Sequence, residues 1–555
     1  MDSFLYLMPA KPIEIRSSTI YTYWDFNGGL TCPLCFMPLQ HEFNNGGRKI
    51  ITLKGPLWVI TNYYSCTNPA CELHQAFSAV YPSMLDRKKF ALDVWAKVVQ
   101  HHFKHHLNYS TIADLMWDDW DVSISPGAVR SICEFFEMAG TQHANETVLK
   151  EVRANGKIVV SLDGAQPIKG EPSLWIFSDL LTGNVLLARE LDTAPAAVLR
   201  EIFREIEALY GVPIVAVVSD KQKNIVNAVK LFNPDLPHAY CHYHFLNHVV
   251  EPIASKDSHL QTELQKEVRK LSIVVNAKNS DSNNFYALFS PVVEELKCAI
   301  SARGDRFKSF PGIETFANLE HVLAQLQPYL AWSLPQKVVR SLSALIESLT
   351  RTLTTHRELY QEIRDLIPDF ERVREILSHR EKDSASVKRE VEKWVLTLQD
   401  RLKARNFEWR PEHVKWQQSS FKTTREEVWQ EWIRLEKSYS EGLYLAYDNC
   451  ELDFTNNAKE QLFHRCKHHF KSLLGRANVA QAFQEHGSVY AQLMNLDYSK
   501  ERVSSVLLAC ETPLIESERK EFHAQYATVA RTWRIREQDT GNLKLFERAL
   551  TNYTR

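Results

Sequence analysis

The chain has 555 residues and a formal net charge of −2, from 66 Lys and Arg against 68 Asp and Glu. With 44% hydrophobic residues, 24% charged residues and only 18 Gly, the composition excludes collagen-like and largely disordered chains. No stretch approaches roughly 18 consecutive apolar residues and no secretory signal is visible, so we expect a cytoplasmic protein without a membrane span. Taken globally, the near-neutral net charge argues against a nucleic-acid-binding protein, for which a basic surface is expected.

Two closely spaced cysteine pairs lie near the N-terminus, separated by the β-rich residues 36–65. The pairs are Cys32 with Cys35 and Cys66 with Cys71. Four thiolates on two turns suit a structural Zn²⁺ ion, with His41 or His74 as an alternative ligand for one cysteine. The spacing therefore predicts a zinc ribbon over residues 1–85.

Residues 86–150 are predicted to be short helices that form a helix-turn-helix. The first helix is expected to begin at a Ser110 cap, and the second at Ser125 followed by Pro126, a favoured first helical residue. The second helix would enter a DNA groove, with Arg130 as the contact residue. The alternative is a subdomain that serves packing. The adjacent histidines are expected on an exposed, partly basic helix face: His101, His102, His105 and His106.

Residues 151–248 alternate between strand-like and helical patterns. Apolar runs at 156–163, 173–179 and 185–189 precede an amphipathic helix, and a further run at 213–220 is followed by a second helix and residues 238–244. This predicts the order β-β-β-α-β-α-β in a mixed five-stranded sheet, with three antiparallel strands continued by parallel ones. That order is the one found in RNase H-like cores.

Two of these strands end in an acid, Asp163 and Asp220. Side chains at such strand ends emerge at the edge of the sheet, where ligands bind. Paired carboxylates favour a hard cation such as Mg²⁺ or Mn²⁺ between them. The alternative for either acid alone is a turn or a helix N-cap.

A third acid, Glu460, follows in the segment Thr455-Asn456-Asn457-Ala458-Lys459-Glu460. Together with S-x-D-G at Asp163, V-S-D-K at Asp220 and C-x-x-H at Cys241 and His244, this segment resembles the motif series of bacterial DDE transposases of Mutator-like type. The resemblance covers about a quarter of the chain, residues 156–248 and 445–478.

The resemblance implies that Asp163, Asp220 and Glu460 hold two Mg²⁺ (or Mn²⁺) ions that promote hydrolysis and 3′-OH strand transfer at transposon ends. Glu451, Asp453 and Asp448 are rivals for the third ligand. Two interpretations remain for Cys241 and His244: they form a buried connection between a strand and a helix, or they act near the scissile phosphate. The implied partners are double-stranded DNA, as transposon ends and target, and further copies of the chain, with a nucleoid-associated location.

The chain beyond residue 248 is predicted to be helical. We divide it into an all-α insertion at 249–444, the last part of the core at 445–500 with the Glu460 helix, and a C-terminal helical region at 501–555. Apolar residues at helical spacing begin at Val338 and at Val387, and we interpret both series as helix faces that pack in a core. Four tryptophans near basic residues are candidates for contact with DNA: Trp409, Trp416, Trp429 and Trp432.

A non-catalytic DNA-binding protein derived from a transposase is the alternative function; the presence of all three acids favours the enzyme. The net charge of −2 describes the whole chain, whereas DNA responds to local surface. Residues 464–476 contain four basic side chains and no acid, on and just after the Glu460 helix: Arg465, Lys467, Lys471 and Arg476. The sequence therefore predicts DNA binding confined to particular faces.

Overall fold

A computed structural model describes the chain at residues 10–15, 21–26, 31–32, 34–45, 47–78, 85, 88–166, 171–277, 288–304, 307–407, 423–455, 457–475, 479–510, 515–521 and 523–524. The chain forms two compact units. Unit 1 comprises Met1–Val215 and Ala458–Arg555, and unit 2 comprises Ala216–Asn457.

The N-terminal part of unit 1 is a six-stranded sheet built around one long strand, β5. The strands are β1 (Ala10–Ile15), β2 (Tyr21–Phe26), β3 (Leu39–Asn44), β4 (Arg48–Thr52), β5 (Gly55–Cys66) and β6 (Phe77–Ser78). Strands β3, β4 and β6 pair with β5 in antiparallel fashion, and β2 pairs with it in parallel. β5 is rich in β-branched and aromatic residues, which suit a pleated, half-buried surface.

Three helices follow: α1 (Leu92–Val99), α2 (Tyr109–Trp120) and α3 (Pro126–Asn155), with a π-helical turn at Gln100–Lys104 after α1. Asn108 caps α2 by accepting a hydrogen bond from the Thr111 N–H, and Ser125 caps α3 by accepting one from Ala128. α3 ends at Gly156, whose φ of 71° is the left-handed conformation that glycine adopts without strain.

The second sheet has five strands in the order β11-β10-β7-β8-β9. Its elements are β7 (Ile158–Ala165), β8 (Ser173–Asp179), β9 (Val185–Leu191), α4 (Ala196–Tyr210), β10 (Ile214–Ser219), α5 (Lys223–Phe232) and β11 (His238–Tyr240). β7, β8 and β9 pair in antiparallel fashion, whereas β10 and β11 pair in parallel. The predicted element order and the predicted mixture of strand directions are confirmed.

The rest of unit 2 is helical. It contains α6 (His242–Lys270), α7 (Ser272–Ala277), α8 (Ser290–Ala299), α9 (Pro311–Leu326), α10 (Gln336–Ser378), α11 (Ser384–Ala404), α12 (Arg425–Leu443) and α13 (Leu445–Asp448). The stripes that begin at Val338 and Val387 pack into one hydrophobic core, which confirms their interpretation as packing surfaces.

The last helices belong to unit 1: α14 (Asn457–Leu474), α15 (Ala480–Leu493) and α16 (Lys500–Ala509). Their apolar faces share a core with α1, α2, α3 and residues of β8 and β9. Gly140 of α3 permits close packing there, because a Cβ atom at this position would lie 2.6 Å from the Leu493 side chain.

The helical region before the second sheet differs from expectation in two respects. Asn108, not Ser110, caps α2, because the helix already begins at Tyr109 and the Asn108 side chain accepts the hydrogen bond from the Thr111 N–H. The second helix is not short: α3 has 30 residues, since its buried face continues through Phe136, Ala144 and Val152. The predicted Ser125 cap with Pro126 is confirmed.

Candidate metal and DNA-binding sites

The four N-terminal cysteines come together in unit 1. The Sγ atoms of Cys32 and Cys71 are 3.6 Å apart and those of Cys35 and Cys66 are 3.3 Å apart. All four sulfur atoms lie within 4.8 Å of one another, and among the described residues this group alone has that geometry. A tetrahedral ion with Zn–S bonds of about 2.3 Å requires sulfur separations of about 3.8 Å, so the four thiols can hold a metal ion.

The local chain explains why these thiols converge. Cys66 ends β5, and its partner in β3 is Leu39, which lies shortly after the Cys32–Cys35 turn. Phe36 adopts a left-handed φ of 59°, and the Phe36 N–H donates to the Cys32 carbonyl to close that turn. His74 donates from Nδ1 to the Cys66 carbonyl at 2.8 Å, and His41 packs edge-on against Tyr64.

The environments of two thiols differ strongly. A hydrogen bond from the Met37 backbone lowers the pKa of Cys35 to about 7, whereas burial raises the pKa of Cys66 to about 12. A bound cation would favour the thiolate form at every position.

Asp163 lies on β7 in unit 1, opposite Ile176 of β8, and is 9% exposed. Its Oδ1 atom accepts a hydrogen bond of 2.8 Å from the Gly164 N–H. A Cβ atom on Gly164 would lie 2.7 Å from the Trp175 indole, so glycine is required for this strand to pack beside that ring.

Asp220 follows β10 directly in unit 2 and is 8% exposed. Gln222 donates from Nε2 to Oδ2 at 2.7 Å. Burial raises the pKa of Asp220, and the nearby His244 and His248 oppose this shift. A carboxylate in this setting gains stability from a cation, and its oxygen atoms are the donors that Mg²⁺ prefers.

The C-x-x-H segment begins α6. Cys241 is fully buried and is the N-cap residue of that helix, while its N–H donates to the Ser219 carbonyl at 2.9 Å. His244 lies one turn into α6, with its Nδ1 atom buried and without a hydrogen-bond partner. Cys241 therefore has a structural position, and His244 faces the charge of Asp220.

Glu460 lies in the first turn of α14, which begins at Asn457; its side chain is outside the described residues, as is Asn456. The three other acids considered as the third metal ligand differ in their surroundings. Asp448 accepts hydrogen bonds from the backbone and hydroxyl of Ser384, whereas Asp453 is exposed and Glu451 is half-buried.

The predicted DNA-binding residues occupy two helices of unit 1. Arg130 is 58% exposed at its side chain and forms an ion pair of 2.6 Å with Glu134. On α14, Arg465 and Lys471 are exposed and Lys467 is half-buried. Arg476 lies outside the described residues.

The expectation of an exposed histidine face is wrong for His102, which is 2% exposed. It stacks on Tyr109 with ring centroids 4.9 Å apart and lies edge-on to His469 of α14 at 5.4 Å. His469 is also buried, stacks on Tyr490 at 3.9 Å, and places its Nδ1 atom 3.0 Å from Nδ1 of His106. Burial lowers the pKa of His102 to about 4 and that of His469 well below its usual value.

Beside these rings, Glu137 of α3 faces His486 of α15, with Oε2 and Nδ1 3.4 Å apart. The interaction raises the pKa of His486 against the effect of burial. Sequence inspection missed this buried cluster. The spacing of the residues could have indicated it. His102 follows Val98 and Val99 by four and three residues, so it lies on the same apolar helix face as Trp95, Val98 and Val99.

Two of the candidate tryptophans are core residues. Trp429 and Trp432 are buried, and their indole N–H groups donate to Asp369 Oδ2 and to the Val249 carbonyl. They are therefore unsuited to contact DNA. Trp409 and Trp416 lie outside the described residues.

Comparison with models of known protein families and with curated proteins finds no match for this chain. Among the helices in the described part of the chain, none combines the length and the apolar character needed to cross a membrane.

Proposed function

We propose that the chain is a DNA transposase with an RNase H-like catalytic core, and that it cleaves and joins transposon ends by two-metal-ion phosphoryl transfer. The observation that carries the proposal is the mixed five-stranded sheet in which a buried Asp lies in β7 and another follows β10. The motif T-N-N-x-x-E at the start of α14 adds the third carboxylate in the expected order along the chain.

The proposed ligands of the catalytic ions are Asp163, Asp220 and Glu460. Two Mg²⁺ ions bound there would activate the attacking water or 3′-hydroxyl and stabilise the leaving 3′-oxygen. The side chains of this chain supply oxygen donors, and Gln222 fixes the orientation of the Asp220 carboxylate by its hydrogen bond to Oδ2. Burial raises the pKa of Asp220, and a bound cation would favour its ionised form, which is the form that binds a metal.

We further propose that the four-cysteine group holds a structural Zn²⁺ ion and that the N-terminal module and the α2–α3 region bind the element ends. Exposed basic residues on α14, Arg465 and Lys471, provide contacts to phosphates. The half-exposed Arg130 is held by Glu134, so it would reach DNA only by exchanging that partner for a phosphate.

The test is cleavage of DNA that carries the sequences on either side of the reading frame, in the presence of Mg²⁺. We expect nicks with free 3′-OH ends from the wild-type chain, and a loss of at least a hundredfold in the rate with Asp163→Asn, Asp220→Asn or Glu460→Gln. Asp453→Asn is the matched control, because Asp453 is an exposed acid next to the same motif. A fully active Glu460→Gln variant would contradict the assignment of the third ligand.

A further inference from the structure

Unit 1 contains a cavity of about 330 Å³ that the proposed activity does not use. Its wall is formed mainly by four helices, α2, α3, α14 and α15, and the buried histidines His102 and His469 lie on one side of it. Pockets that bind small molecules have volumes of about 300–1,000 Å³. The cavity therefore has the size of a site for a small organic molecule.

One part of the cavity wall is apolar. It includes Phe470, which is 4% exposed, together with the half-buried Leu473 and Ala482. Tyr109 adds a second ring, and burial raises the pKa of its hydroxyl, so this side chain is uncharged. Aromatic rings of this kind accept an apolar ligand body and also attract a nearby cation.

The other part of the wall is acidic. Three carboxylates line the cavity, those of Glu134, Glu137 and Glu485, against one guanidinium, that of Arg130, and the imidazole of His486. The two buried histidines add no positive charge, because burial lowers the pKa of both. Even when His486 is protonated, the lining carries more negative than positive charge, so it favours a cationic ligand.

Glu137 is a buried carboxylate that can accept further hydrogen bonds. It is 7% exposed, and among the described residues its Oε2 atom has no hydrogen-bond partner. His486 Nδ1 lies 3.4 Å from Oε2, within an ion pair that lacks hydrogen-bond geometry. Burial alone would raise the pKa of Glu137, but the charge of His486 outweighs burial and lowers it, so this carboxyl is ionised. A ligand N–H group would supply the donor that a buried carboxylate requires.

The other two carboxylates differ in how their charge is balanced. Glu134 accepts a hydrogen bond of 2.6 Å from Nε of Arg130, in an ion pair. Glu485 accepts one of 2.9 Å from Nε2 of Gln481, an uncharged amide, which leaves the negative charge of Glu485 in place. Glu485 is half-buried, so its charge is less screened by water than that of a fully exposed acid.

We propose that this cavity binds a small organic ammonium ion, with its charged group among the three carboxylates and its apolar body against Phe470 and Leu473. An ammonium group carries three N–H donors and no acceptor, which matches a lining of carboxylate oxygens. A carboxylate or phosphate ligand would be repelled by the same lining. The proposed ligand site is separate from the proposed catalytic activity.

The test is isothermal titration calorimetry of the full chain at pH 7.5 in the absence of DNA, so its outcome is independent of transposase activity. The probes are phenethylamine, 2-phenylethanol and 3-phenylpropionate, which share a phenyl body and differ in charge. We expect saturable binding of phenethylamine and roughly tenfold weaker binding of 2-phenylethanol, because hydrogen bonds to charged groups are stronger than neutral ones. No binding of 3-phenylpropionate is expected.

Two variants with opposite expected effects locate the site. Glu485→Gln should weaken phenethylamine binding about fivefold, as for a partly exposed ion pair, and leave 2-phenylethanol binding unchanged. Arg130→Gln should strengthen phenethylamine binding, because it removes the cation that neutralises Glu134. Glu146→Gln is the matched control, because Glu146 is an exposed acid of α3 outside the cavity lining. Circular dichroism melting of each variant verifies that it is folded.

The inference is overturned if phenethylamine shows no saturable binding, if 2-phenylethanol binds as tightly as phenethylamine, or if 3-phenylpropionate binds best. A Glu485→Gln protein that binds phenethylamine like the Glu146→Gln control would place the bound amine elsewhere and also overturn it. Weaker phenethylamine binding by a folded Arg130→Gln protein would contradict the charge argument, since general damage to the cavity weakens binding whereas removal of a competing cation strengthens it.

Discussion

Acid should weaken unit 1 through His102, whose buried imidazole must take up a proton when the unit unfolds. The pKa of His102 is about 4 in the folded chain, because burial disfavours the charged ring, whereas the usual value for histidine is about 6.5. The neutral ring donates from Nδ1 to the Leu107 carbonyl at 3.1 Å and stacks on Tyr109.

The direction of the pH effect on stability follows from the number of protons that the folded and unfolded chains bind. The unfolded chain binds the proton below about pH 6.5 and the folded chain only below about pH 4, so the stabilisation is fully present above pH 6.5 and is lost as the pH falls between these values. The difference between the two pKa values of His102 corresponds to about 3 kcal/mol, and at pH 5 about 2 kcal/mol of it is already lost.

The assay is urea unfolding of the full chain at pH 7 and pH 5, followed by hydrogen exchange in α1 and α3. His102→Phe keeps an aromatic ring for the stack on Tyr109 but removes the titration, so its loss of stability between the two pH values should be smaller than in the wild type by about 2 kcal/mol. His105→Phe is the control, because His105 is an exposed neighbour. A His102→Phe chain with the same pH dependence as the wild type, or a folded-state His102 that titrates near pH 6.5, would refute the reasoning.

Three further predictions concern stability and metal content. One Zn²⁺ ion per chain should be bound and lost with Cys66→Ser but not with Cys298→Ser, an exposed thiol outside the group, and chelation should unfold residues 31–78 as measured by hydrogen exchange. Glu137→Gln should destabilise unit 1 by about 2 kcal/mol in chemical denaturation, since it removes the buried carboxylate that faces the half-buried His486, whereas Glu146→Gln on the exposed side of α3 should be neutral. Gly312→Ala should cost unit 2 about 2 kcal/mol because its Cβ would lie 2.2 Å from the Asp257 carbonyl oxygen, whereas Gly127→Ala, with 4.0 Å to the nearest atom, should not; equal melting temperatures for the two alanine variants would contradict the packing argument.

Local patterns predicted the elements of the second sheet because each strand is short, apolar and bounded by turn residues. The run that became β10 is almost wholly buried, as its unbroken apolar sequence indicated. The cysteine pairs were equally readable, since two ligands on each of two turns need only one β-strand pairing to meet, and β3 with β5 provides it.

Contacts between residues that are distant in the chain could not be predicted from local sequence patterns. Nothing local indicates that His102 and His469, distant in sequence, share one buried cluster, because a polar residue on an apolar face can be solvated or satisfied in the core. The tryptophans of α12 looked suited to DNA by composition, but their N–H groups are used within the core.

The most direct measurement of the central claim is the detection of polymerase-extendable 3′-OH ends on DNA incubated with the purified chain and Mg²⁺. We expect nicks at defined positions in the sequences flanking the reading frame, which disappear with Asp220→Asn and persist with Asp453→Asn. Absence of nicking by the zinc-loaded wild-type chain on both flanks, or nicking that Asp163→Asn and Asp220→Asn leave unchanged, would contradict it.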